Sequence, residues 1–130
     1  MKKVILIPIV FLICIATFSQ AKKTIVWKEL DSFHEIVVPV FHAAEKGNFH
    51  ATYDSASLVL DRAQKWQASS IPAGLDSKIY QPLVDRLVIE TKAISEAVKA
   101  KKSETELKPL LRKAHNTFHE ILGKYNQSSH

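Results

Sequence analysis

Ser103-Glu104-Thr105-Glu106-Leu107-Lys108-Pro109-Leu110-Leu111-Arg112-Lys113-Ala114-His115-Asn116-Thr117-Phe118-His119-Glu120-Ile121-Leu122 is the stretch that decides how this chain folds. It opens on Ser103-x-x-Glu106, a spacing in which the two side chains satisfy free amides at the start of a helix. Leu107, Leu110, Leu111, Ala114, Phe118, Ile121, Leu122 and Tyr125 then recur at intervals of three and four. That period paints one side of an α-helix apolar and leaves the other in water. Such a stripe is buried only against partners of the same kind.

Working back towards the N-terminus, three such partners appear. Leu30, Phe33, Val37, Val40, Phe41 and Ala44 mark a first helix, which Gly47-Asn48 stops. Pro39 lies inside it and predicts a kink, because proline lacks a backbone donor and crowds the preceding turn. Phe49, Tyr53, Ala56, Leu60, Ala63 and Trp66 or Gln67 form a second stripe, ended by the loop Ser69-Ser70-Ile71-Pro72-Ala73-Gly74. Ile79, Leu83, Leu87, Ile94 and Val98, flanked by Val84, Val88 and Ala97, mark a third helix that ends around Lys101. No stretch alternates as a strand does, and no repeat or low-complexity segment is present. Four amphipathic helices with short connections predict an all-α fold, an up-down-up-down antiparallel four-helix bundle in which the first and last helices are neighbours.

The first residues read differently. Met1-Lys2-Lys3 is a short basic start, Val4 to Ile15 is apolar apart from Pro8, and Ser19-Gln20-Ala21 offers small residues for cleavage. This predicts a secretory signal over 1–21, a single bundle domain over 22–130, and a periplasmic or secreted product. The run is shorter than the roughly 20 residues that span a bilayer, so no membrane association is expected after cleavage. Cys14 is preceded by Ile13, where lipidation needs a small residue. As the only cysteine, Cys14 leaves with the signal, so the exported chain is expected to hold metals by nitrogen and oxygen alone, without disulfides or thioether-linked haem.

Charge narrows the function further. All 13 acidic residues lie beyond the signal, whereas Lys2 and Lys3 of the 18 basic ones lie within it. The remaining balance is mildly basic and does not imply nucleic acid. The densest basic run, Lys99 with Lys101 and Lys102, carries no aromatic residue to stack a base. No nucleophile with a paired base is visible, so an enzyme is not expected.

Histidine carries the chemistry that remains. Phe33-His34, Phe41-His42, Phe49-His50 and Phe118-His119 place imidazoles beside the apolar stripes, and His115-x-x-x-His119 puts two on one helical face. Residues four apart there are neighbours and can chelate one ion. Pairing the end of the first helix with the start of the fourth sets His115 opposite residue 35 and His119 opposite residue 31, with His34 level with them. The expected ligands are His34, His115 and His119, with His42 and Glu45, spaced i, i+3, as additional ligands. Asp31 or Glu35 is expected to orient an imidazole by accepting its second N–H. His50 and Asp54 form a weaker pair on the second helix. Each imidazole can equally be a boundary residue bonded to water.

The segment Leu111-Arg112-Lys113-Ala114-His115-Asn116-Thr117-Phe118 resembles the haem-attachment helix of the cytochromes c′, in which C-x-x-C-H is followed by an aromatic residue. The loop Ile71-Pro72-Ala73-Gly74, the export signal and the chain length also look like that family. The resemblance implies a four-helix bundle with His115 at the axial-ligand position. Leu111 and Ala114 stand where the cysteines would be, which removes covalent haem. Non-covalent haem b, held by His34 and His115 in an electron-transfer protein, is one reading that follows. Two close histidines with carboxylates suit bare zinc, copper or nickel at least as well, so the principal expectation is an exported metal-binding bundle. A ligand-free interaction module is the third reading.

Overall fold

The computed structural model describes residues 24–129. The export signal expected over 1–21 lies outside the described residues. Four helices fill most of the span: α1 Lys28–Glu45, α2 His50–Ala68, α3 Ser77–Lys99 and α4 Glu104–Ser128. No strand occurs among the described residues. Because the connections are short, each helix runs back along its predecessor. α1 packs on α2, α2 on α3, α3 on α4 and α4 returns to α1, with no close approach across either diagonal. The expected up-down-up-down antiparallel bundle is therefore the architecture of this chain. No described helix is long and apolar enough to cross a membrane.

Local chemistry sets the helix ends. Ser103 Oγ accepts the Glu106 N–H at 3.3 Å and Glu106 Oε2 accepts the Ser103 N–H at 3.0 Å, closing the capping box read from the sequence. The backbone bond from Ser103, and then the bond from Lys102, hold the Glu106 carboxyl below the usual carboxylate range. Asp76 caps α3 by accepting the Lys78 N–H at 2.9 Å. Gly74 adopts φ +98°, and a Cβ there would stand 3.0 Å from Ile25 Cδ1. Pro39, Pro82 and Pro109 all lie inside helices on exposed positions. Water can solvate the carbonyls that those rings leave free, so each helix continues through its proline.

The core is aromatic at one end. Trp27, just before α1, is fully buried and meets Trp66 and Tyr80 edge-on, with centroids 5.2 and 5.3 Å away. Phe33 continues the cluster to Trp66 at 5.5 Å and to Phe118 at 5.4 Å. The Tyr125 hydroxyl donates to the Ile25 carbonyl and ties the segment before α1 to the end of α4. Rings of this size dominate burial and set the register of the layers they join.

Two stripes differ from their sequence reading. On α2 the inward row is Thr52, Ala56, Val59, Ala63 and Trp66, while Tyr53 is 39% exposed. On α3 Tyr80 is buried and Ile79 is 47% exposed. Phe49, Ala56, Ala63 and Trp66 on the second stripe and Leu83, Leu87 and Ile94 on the third are buried as read; Thr52 and Tyr80 replace Tyr53 and Ile79 in the inner rows, Tyr80 by entering the cluster around Trp27. Gln67, next to the buried Trp66, reaches Asp85 on α3 at 2.9 Å.

Candidate metal site between the first and last helices

Of the four helix pairs in contact, α1 and α4 approach one another least closely. The gap holds a cavity of about 180 Å³ lined by His34, Val38, Phe41, His42, His115, Phe118 and His119. Four of the six histidines thus meet in one place. α1 supplies His34 and His42 and α4 supplies His115 and His119, so the cavity depends on the packing of two segments remote in sequence.

The α4 pair is the tightest part of the site. His115 Nε2 and His119 Nε2 lie 2.9 Å apart, with ring planes at 84°. In the metal-free pair one nitrogen carries the proton and the other accepts it. The side chain of His115 is 21% exposed, and its ring meets that of Phe41 edge-on with centroids 5.0 Å apart. Its other nitrogen, Nδ1, faces Glu45 Oε1 at 3.7 Å. Burial lowers the His115 pKa first, and the imidazoles of His119 and His42 push it the same way against the opposing pull of Glu45. A neutral imidazole is the form that a metal needs.

Across the cavity, the His34 ring stacks on Phe118 with centroids 5.6 Å apart and an interplanar angle of 25°. His34, His42 and His119 are exposed and form the mouth, while Phe41 and Phe118 are buried walls. His115 departs from the sequence-based pairing: it sits against Phe41 and Glu45 instead of residue 35, roughly two turns further along α1. Phe33 and His34 face Phe118. The aromatic cluster holds Phe33 against Phe118, within one residue of the sequence-based pairing, so the departure is confined to the reach of His115 towards Phe41 and Glu45.

The reach of His115 along α1 redistributes the carboxylates. Glu45 stands beside His115 on the side of the ring away from His119, where it can accept the Nδ1 proton and orient the imidazole. Asp31 and Glu35 are exposed, and the carboxylate beside an imidazole is that of Glu45. His50 and Asp54 are exposed on α2 and do not line the cavity. Sequence reasoning passed over Lys108 and Arg112, which share a smaller adjoining cavity of about 60 Å³ with Phe41, Glu45 and His115. Their spacing from His115, seven and three residues back, was the available signal.

No protein family, characterised protein or solved structure matches this chain. The site is therefore read from its own geometry. Among the described residues no group of three or more His, Cys, Asp or Glu side chains is already gathered to hold a metal ion. What exists is a converged pair on α4 and two further imidazoles facing the same cavity.

Proposed function

We propose that this protein binds one divalent transition metal ion, zinc, copper or nickel, in the α1–α4 cavity. His115 and His119 form the primary grip. His34 or His42 completes it by turning a ring inward about its side-chain bonds, and water fills the remaining positions. Glu45 keeps the His115 ring in place from its Nδ1 side.

The observation that carries this reading is the 2.9 Å separation of the two Nε2 atoms. Two nitrogens each about 2.0–2.1 Å from a shared ion stand about 2.9 Å apart when they subtend roughly a right angle at it, and about 3.4 Å apart in a tetrahedron. The separation thus matches adjacent ligand positions, which the pair reaches by giving up the shared proton and turning both rings towards a common ion. A binding or buffering role follows, since no nucleophile with a paired base accompanies the imidazoles.

Size favours a bare ion over haem b. Pockets for organic ligands run to about 300–1,000 Å³, whereas this cavity holds about 180 Å³. The likeness to the cytochromes c′ is proposed for helix layout and for the place of His115, and not for a porphyrin. Export to the periplasm or beyond, with residues 1–21 as the signal, is proposed on the N-terminal sequence alone.

Equilibrium dialysis of residues 22–130 against each metal tests the reading. One ion per chain is expected for the native sequence, and the His115→Ala/His119→Ala variant is expected to keep its helical circular dichroism while losing that ion. Unchanged metal content in the double variant would remove these two residues from the site.

A further inference from the structure

On the other side of α1, a cavity of about 210 Å³ opens against α2. Lys28, Glu29 and Ser32 line it from the first turns of α1, and Arg62, Lys65 and Trp66 line it from the end of α2. Three cations face one acid. Lys65 is held by Asp61 at 2.8 Å, which leaves Lys28 and Arg62 as the cations not matched on their own helix.

Donors outnumber acceptors here. Arg62 gives one N–H to Ser32 Oγ at 2.9 Å, while its buried Nε finds no acceptor. Trp66 is 1% exposed, and its indole Nε1 has no acceptor either. Buried donors of this kind are paired in most proteins. Trp27 provides no side-chain cap for the start of α1, so the leading N–H groups of that helix add positive potential at the same end. The acceptors on the lining side chains are Ser32 Oγ, already engaged by Arg62, and the Glu29 carboxylate.

From this arrangement we infer that the α1–α2 cavity is a binding site for free hydrogen phosphate, with Arg62 as its central ligand and Lys28 at its rim. A tetrahedral oxyanion supplies several acceptor oxygens to a guanidinium whose fork matches it. Glu29 decides between anions. Hydrogen phosphate keeps one P–OH, which can donate to the carboxylate, whereas sulfate at neutral pH has no proton to give and meets only repulsion. The site is independent of the histidine cavity.

The test is a titration of the full mature chain with sodium phosphate, sodium sulfate, and sodium chloride at matched ionic strength, followed by the Trp66 indole N–H resonance and by the melting temperature. Phosphate is expected to move both at low millimolar concentration, with sulfate weaker and chloride inert. Arg62→Gln is expected to weaken phosphate by about tenfold or more, and Lys28→Gln, on an exposed position that does not endanger folding, by several-fold. Glu29→Gln is expected to bring sulfate up to phosphate. The same response to chloride, equal binding of phosphate and sulfate by the native chain, or unchanged phosphate binding in both cation variants would overturn the inference. Helical circular dichroism without phosphate serves as the folding control and is expected to be unchanged in every variant.

Discussion

His34 lies over Phe118 with the two ring centroids 5.6 Å apart, so an imidazole near the start of α1 rests on a buried wall contributed by α4. Through that contact the α1 side of the cavity is held against the helix that carries the close pair His115 and His119. His42 lines the same space from two turns further along α1. The four rings are thus unequal partners: two on α4 are already converged, and two on α1 are within the same cavity.

This inequality orders the expected effects of single substitutions. His115→Ala and His119→Ala are each expected to weaken metal binding by about a hundredfold or more, since each removes half of the converged pair. His34→Ala and His42→Ala are expected to cost less, about tenfold each, because either ring can complete the site when the other is missing. Competition with a chromogenic chelator measures all four. A larger loss at His34 or His42 than at His115 would place the primary ligands on α1.

Acid is expected to act through His115. Its pKa in the fold is lowered by burial and by neighbouring imidazoles, so the native state favours the neutral ring more than the unfolded chain does. The contribution to stability is therefore complete above about pH 6.5, the ordinary imidazole value. It is lost as pH falls from there through the depressed folded value. Metal binding should weaken over the same range, because protons compete for the same nitrogens. Urea midpoints of the metal-free chain between pH 5 and 8 check the first statement, and His115→Gln should flatten their slope.

Ser103 closes a reciprocal pair of bonds with Glu106 at the start of α4. Ser103→Ala should destabilise the bundle by about 1 kcal/mol, or roughly 4–8 °C in melting temperature for a domain of this size. His115 and His119 lie about three turns or more along the helix, so metal stoichiometry is expected to stay the same. Differential scanning calorimetry reads the shift directly.

At Gly74 two effects act together. The residue sits at φ +98°, where a side chain is strained, and an added Cβ would stand 3.0 Å from Ile25 Cδ1. Gly74→Ala is therefore expected to destabilise by more than about 1 kcal/mol. Gly123 lies inside α4 with open space around the same position, so Gly123→Ala should stabilise by about 0.5–1 kcal/mol. Opposite signs in a thermal melt are the outcome that supports both assignments.

The four helices and their order were legible because each stripe repeats at a helical period and each break carries glycine, serine or proline. The capping box of α4 was legible for the same reason, since Ser103 and Glu106 interact within one turn. What was not legible depended on contacts between helices. Tyr53 and Ile79 fit a period of three and four as well as Thr52 and Tyr80 do, and only the buried cluster of Trp27, Trp66 and Tyr80 selects the inner row. The reach of His115 along α1 was hidden likewise. Its carboxylate partner is Glu45 and not a residue near 35, yet His34, His42, His115 and His119 surround one cavity.

The most direct test of the central claim follows the imidazole nitrogens themselves. Zinc is diamagnetic, so long-range proton–nitrogen correlation spectra of the mature chain can be recorded during a zinc titration. The account predicts that the Nε2 resonances of His115 and His119 move together and saturate at one equivalent, while those of His50 stay in place. Nitrogens of His115 and His119 that do not move at one equivalent, or a shift spread evenly over every histidine, would contradict it.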